Sequence, residues 1–272
     1  DGRLGHDDGC RDHPNPTAVA ALEGIFLRHV ALGNCHGGAI TGDGDVYMWG
    51  GGAFGELGLG DDVEESPRPR PLPALRGRRV VSLACGFYHT ACVTEDGAVW
   101  TWGWGRDGQL GHGEASSTPA KIEALRHVPC ASVACGHHAT LALGEDGSAY
   151  QWGSLGGGTG GGDQPQQQRV TRVETPDGVA LRAVALGGRH ALGTCADGRL
   201  VAWGSGTHGQ LGLGDTRDRA APELITSLAR VSHASCGEAH SAALAVGGGL
   251  AVPAGGGLQL WVWGRGQHGG AD

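Results

Sequence analysis

The chain has 272 residues with 54 glycines, 12 prolines, a single lysine (Lys121) and a formal net charge of −8. That charge disfavours nucleic acid or an anionic membrane as the bulk partner. No apolar run approaches the roughly 20 residues needed to cross a bilayer, and no signal peptide is visible.

In chain order, Gly2-Arg3-Leu4-Gly5-His6 repeats the pattern of Gly108-Gln109-Leu110-Gly111-His112, so the sequence reads as entering in mid-repeat. Thr17 to Leu27 is the nearest approach to a helical pattern. Pro16 and Gly24 argue instead for a connection followed by a strand from about Phe26. A Trp-Gly pair then recurs at Trp49, Trp102, Trp152, Trp203 and Trp263, with spacings of 53, 50, 51 and 60 residues. A fixed period of this size marks a repeat architecture.

A second landmark glycine stands sixteen residues before each of the first four tryptophans, at Gly33, Gly86, Gly136 and Gly187. The fifth, Gly237, lies 26 before Trp263, which places a ten-residue insertion at the glycine-rich run Gly247 to Gly257. Within one period Val80–Cys85, Thr90–Thr94 and Ala98–Trp102 read as strands, with a fourth after Pro119. Asp43-Gly44, Asp96-Gly97, Asp146-Gly147 and Asp197-Gly198 sit between the second and third strands, where a type I′ hairpin turn is expected. Four antiparallel strands in about 50 residues describe a propeller blade. The fold class is therefore all-β: one β-propeller domain over residues 1–272, cut in mid-repeat at both ends. The third unit departs from the pattern, with Gly160 where Leu57, Leu110 and Leu211 stand and a Gln-rich stretch at Gln164–Gln168, so it is expected to pack least well.

Eight cysteines include Cys85, Cys135 and Cys236 in one slot, which Leu32 and Leu186 fill in the other units. Exchange with leucine indicates a buried apolar site. No Cys-x-x-Cys pair is present, so a zinc ribbon or thioredoxin-type motif is not expected, and a spacing that does not suit a disulfide framework favours a reducing, intracellular setting, cytoplasmic or nuclear.

Gly86-Phe87-Tyr88-His89-Thr90, Asp96-Gly97, Trp102-Gly103 and Gly108-Gln109-Leu110-Gly111 together resemble the repeat of the regulator of chromosome condensation family, and the units from Gly33 and Gly187 fit nearly as well. The resemblance implies a seven-bladed ring, of which about five blades are present here, giving an open arc or an incomplete ring. It also implies protein partners, with a small Ran-like GTPase as one candidate, and membership of a larger ubiquitin-ligase or kinase polypeptide as another. The Gly-Trp-Arg-His-Thr signature of the plant ultraviolet-B receptor is replaced by Gly86-Phe87-Tyr88-His89-Thr90 and Gly187-Gly188-Arg189-His190-Ala191, which disfavours photoreception.

The Trp-Gly pairs, present in every unit, read as core. His36, His89, His190 and His240 each follow a landmark glycine by three, with Ala139 in the third unit, and read as structural hydrogen-bonding groups rather than metal ligands. Four in-phase G-x-G-x-x-G matches, such as Gly103-Gly105-Gly108, open no helix and read as blade loops. No catalytic residue, metal or cofactor is assigned. The candidates for partner binding are the departures from the repeat: Arg68, Arg70, Arg76, Arg78, Arg79, Trp100 and Trp104. The expected function is a non-enzymatic interaction scaffold. Guanine nucleotide exchange is the alternative, with an uncharged insertion, Val246 to Leu258, as its only candidate wedge; nucleic-acid or chromatin contact is left open but disfavoured by charge.

Overall fold

A computed structural model describes residues 2–8, 11–156, 169–247 and 257–266. Antiparallel sheets follow one another along the chain. The first holds β1 (Leu27–Leu32), β2 (His36–Thr41), β3 (Val46–Gly51) and β4 (Glu65–Pro71). The second holds β5 (Val80–Cys85), β6 (His89–Thr94), β7 (Val99–Trp104) and β8 (Ala115–Lys121). The third holds β9 (Cys130–Cys135), β10 (Ala139–Gly144), β11 (Ala149–Gly153) and β12 (Thr171–Val173). The fourth holds β13 (Leu181–Leu186), β14 (His190–Cys195), β15 (Leu200–Gly204) and β16 (Arg219–Leu224), and the fifth β17 (Leu228–Cys236), β18 (His240–Gly247) and β19 (Gln259–Gly264). Each sheet is a meander and each is a blade. The only helical turns among the described residues are short 3₁₀ segments such as Pro73–Leu75, and no helix is long and apolar enough to cross a membrane.

The core lies between blades, in four clusters at the four junctions. Ile40, Met48, Leu83 and Trp102 fill the first, Val93, Ile122, Val133 and Trp152 the second, Leu141, Leu181, Val201 and Trp203 the third, and Leu192, Leu211, Val231 and Ala243 the fourth. Trp102, Trp152 and Trp203 are fully buried, as expected of core markers. Among the described residues, no strand of the first blade packs extensively on the fifth. The two outer faces of the arc therefore expose apolar side chains: Phe26, Val30 and Leu32 at one end, Leu244, Leu260 and Val262 at the other.

Three local expectations are revised. The Asp-Gly hairpins are not type I′, because φ is positive at Gly44, Gly97, Gly147 and Gly198 but at none of the aspartates before them. Gly97 N–H donates to Thr94 O while Thr94 N–H donates to Ala98 O, the pattern of a three-residue loop closed by a glycine bulge. Asp96 contributes by accepting from Ala98 N–H and the Thr94 hydroxyl. The fourth strand of the second blade begins before Pro119, at Ala115. Proline is accommodated because β8 is the outer edge strand and its register slips between Thr101 and Gly103. The cysteine slot is only half-buried: Cys85, Cys135 and Cys236, with Leu32 and Leu186, line a recess of about 300 Å³ on the axis, where all five blades converge. Burial still pushes the thiols of Cys85 and Cys236 up to about 12. Gly160 and Gln164–Gln168 lie outside the described residues, as does most of the Gly247–Gly257 insertion.

Candidate interaction site

The loops that end each blade are held in place by a bond network reaching into the next blade. His36 Nε2 lies 2.9 Å from Thr90 Oγ1, and the Thr90 hydroxyl donates to Glu56 O at 2.8 Å. Since the hydroxyl proton is committed to that carbonyl, His36 must donate through Nε2–H, which fixes its tautomer from the network. Trp102 Nε1–H donates to the same Glu56 oxygen at 2.8 Å, so both lone pairs of one carbonyl are used. The second junction repeats the arrangement with His89, Thr140, Gln109 and Trp152, and the fourth with His190, Ser241, Gln210 and Trp263. The histidines are thus structural, as the sequence suggests, but they bond across to the following blade. Their Nδ1 atoms are buried and have no partner among the described residues, and burial holds His36 and His190 at about 4 and His89 at about 3. Protonation would place a second N–H where nothing can accept it.

The third junction lacks the device. Ala139 and Ala191 replace the histidine and the hydroxyl together, and Trp203 Nε1–H donates to the side-chain oxygen of Gln151 at 2.7 Å. Leu155, buried against Trp203, belongs to the core cluster there.

The chain path puts two sets of loops on each rim. On one rim lie the turns after the first strand of each blade (34–35, 87–88, 137–138, 188–189, 238–239) and the glycine-rich loops after the third. Here Trp104, at the end of β7, meets Phe54 with ring centroids 4.9 Å apart. Phe54 meets Tyr88 at 4.8 Å, Tyr88 meets Phe87 at 4.5 Å, and Phe87 meets His137 at 4.7 Å. The result is a continuous aromatic stripe over blades one, two and three, with Phe54 40% exposed and the other rings half-buried. Arg106 stacks over Trp104 at 4.9 Å, and His138 pairs with Asp107 at 3.0 Å. Beyond His137 opens a recess of about 380 Å³ lined by Arg189, Thr207, Asp218, Glu238 and Arg265. Burial lowers the His137 imidazole, with Glu238 partly opposing.

Beneath Phe54 sits Glu56, where other loops carry Gln109 and Gln210. Each of the three side chains accepts from the backbone N–H two residues before it. Glu56 is buried, and desolvation raises its carboxyl above the usual range. Its Oε1 lies 3.7 Å from Cys35 Sγ, whose thiol is pushed up to about 11 by burial and by that carboxylate.

The sequence-derived candidates divide between locations. Trp104 belongs to the stripe. Trp100 lies nearer the other end of β7, with Arg78 stacked over it at 4.8 Å and its Nε1–H directed to Thr94. Arg76, Arg78 and Arg79 follow the 3₁₀ turn at Pro73–Leu75, on the opposite rim, with Arg79 3.3 Å from Glu95. Arg68 and Arg70 stand exposed on edge strand β4, Arg68 in a loose 3.8 Å pair with Asp7. The structure therefore brings Arg78 to Trp100 and keeps both away from Trp104. Sequence reasoning passed over Phe54, Phe87, Tyr88, His137 and Arg106. The available signal was variation at matching loop positions: Phe54 stands where Asp107 and His208 stand.

The regulator of chromosome condensation (RCC1) repeat model matches residues 43–93, 96–143 and 197–244, and a second model of the same repeat matches 80–109 and 181–210. Together they cover more than half of the chain. This chain belongs to the RCC1 repeat family. Among curated relatives of the RCC1 type, the ultraviolet-B receptor UVR8 of Arabidopsis thaliana is 38% identical over 230 residues, covering 84% of this chain and 52% of the receptor. Human E3 ubiquitin-protein ligase HERC2 is 36% identical over 252 residues, covering 89% of this chain but 5% of the ligase. The chain thus spans about half the length of the receptor and a small part of the ligase. Among solved structures, human WBSCR16 matches with a TM-score of 0.72 at 28% identity, covering 88% of this chain and 61% of that one. Yeast Prp20p, described with its binding to Gsp1p and histones, matches with a TM-score of 0.70 at 26% identity, covering 82% and 57%.

Proposed function

We propose that this RCC1 repeat chain is a non-enzymatic scaffold whose stripe-bearing rim docks a partner protein. The observation that carries the reading is the run of solvent-accessible aromatic rings from Trp104 to His137. Aromatic side chains on loops fixed to a rigid frame supply large contact area at low entropic cost, and they dominate binding energy at protein interfaces. The likeness to Prp20p, whose structure is described with two protein partners, is consistent with this role. The test is affinity capture with the wild-type chain and with a Phe54→Ser/Phe87→Ser variant that keeps the wild-type melting temperature. A partner retained by the first and lost by the second is expected; equal capture by both overturns the reading.

The Prp20p likeness also motivates a second reading, guanine nucleotide exchange on a small GTPase. An unchanged release rate of a fluorescent GDP analogue from the GTPase would end it. The apolar end faces, with Phe26 and Leu260 exposed at opposite ends of the arc, are proposed to be covered by further blades of the same repeat domain. A chain extended by two repeats should bind less hydrophobic dye than residues 1–272 alone.

A further inference from the structure

We infer that the partner segment seated on the stripe is basic and carries arginine, an inference that rests on the docking role proposed above. Two independent features of the rim point there. First, the indole of Trp104 already takes a guanidinium, that of Arg106, at 4.9 Å. A cation over an indole face is attracted by the ring quadrupole, more strongly as it is desolvated. Arg106 is exposed and in no ion pair among the described residues, so a partner arginine can displace it at little cost.

Second, the loops after β3 and β7, which flank Phe54 and Trp104, are acidic. Phe54 shares its loop with Asp61, Asp62 and Glu64, followed by Glu65 at the start of β4. This loop crosses to the second blade, where Gly60 N–H donates to Ser117 O. Glu114 precedes Ala115, the β8 partner of Trp104, and its backbone packs against Gly105. All five carboxylates are on exposed residues, and none pairs with a base among the described residues. Five carboxylates against two nearby guanidiniums, Arg106 over Trp104 and Arg3 donating to Asn34 O, leave a net negative potential that draws in a basic ligand and repels phosphate. The acidic rim therefore favours a protein segment over nucleic acid or an anionic lipid surface. The centroid steps along the stripe, between 4.5 and 4.9 Å each, leave room for no more than about seven extended residues.

The probe is a synthetic nine-residue peptide with three arginines, alongside its lysine and glutamate counterparts, titrated by calorimetry at low salt. The arginine peptide is expected to bind, the lysine peptide more weakly and the glutamate peptide not at all. Affinity should fall about ten-fold in Trp104→Ala and about as much in Asp61→Asn/Asp62→Asn/Glu64→Gln/Glu65→Gln. Arg106→Ala should bind the arginine peptide about two- to five-fold more tightly by freeing the indole face; this gain cannot come from a misfolded variant. Saturable binding that is equal in wild type and Trp104→Ala overturns the inference, as does no binding at low salt. The two proposals fail separately. A partner captured through Phe54 and Phe87 that the arginine peptide does not displace leaves the docking role standing and removes the basic segment.

Discussion

The second and third blade junctions solve the same packing problem with different chemistry. At the second, a buried histidine, a hydroxyl, a loop carbonyl and an indole N–H form one closed network. At the third, the histidine and hydroxyl positions are both alanine, and the tryptophan bonds to a side-chain amide. Both tryptophans are almost completely buried. Apolar burial is thus what the junction cannot do without, and the polar network is an all-or-none addition. Losing one member would strand a buried donor or acceptor, whereas losing both leaves nothing unsatisfied.

The comparison is broken most severely through the tryptophans. Trp152→Ala and Trp203→Ala should each cost about 3–5 kcal/mol in urea unfolding. Both removals take a donor away, but Trp152 should sit at the upper end, because Gln109 O belongs to a fully buried residue whereas the half-buried Gln151 amide can turn to water. A Trp203→Ala cost clearly above that of Trp152→Ala would reverse the ranking.

Acid acts next, most strongly at the junctions that bury His36, His89 and His190. His36, His89 and His190 are neutral when folded, held at about 3 to 4, but bind protons near pH 6.5 when unfolded. The unfolded chain therefore holds more protons between those limits, and stability falls as pH drops from 6.5 toward 4. The slope is at most about 1.4 kcal/mol per pH unit for each histidine. His89→Gln should remove about one histidine's share of the slope in urea titrations from pH 7 to 4.5; an unchanged slope would show that His89 does not titrate on unfolding.

At the second junction, Thr140→Val removes the acceptor of His89 and should cost about 1–3 kcal/mol. The His89→Ala/Thr140→Ala pair, which copies the third junction, should cost less than the sum of its single changes by about 1 kcal/mol. Strict additivity in the double-mutant cycle would mean that the two side chains do not act as a unit.

The smallest effect is expected at Glu56. Its carboxyl is raised by burial in the folded chain, so the ionised form opposes folding above the ordinary glutamate range and ceases to do so below it. Glu56→Gln, matching Gln109 and Gln210, should gain about 1 kcal/mol or less at pH 7 and nothing below pH about 4. A loss of stability at pH 7 would show that the Cys35 contact favours the carboxylate.

The repeat period, the blade boundaries and the role of the tryptophans were legible in the sequence because each is local and repeated in phase. Strand limits were close, since β5 falls where its apolar run does. The hairpin type was not legible, because Asp-Gly suits two turn geometries and only φ at Asp96 separates them. The stripe was missed for a different reason. Phe54, Tyr88 and Trp104 are far apart in the chain and meet only when one blade's loop lies across the next.

By itself the sequence determined that this chain is an all-β array of about five RCC1-type blades with a tryptophan core, because periodicity and apolar spacing act along the chain. Tertiary structure alone decided which departures from the repeat share a surface. It set Trp104 among Phe54, Tyr88 and Arg106 on one rim, and Arg78 with Trp100 away from it. Residues four apart on β7 are separated by its extended rise, whereas residues fifty apart in Trp104 and Phe54 are joined by blade packing.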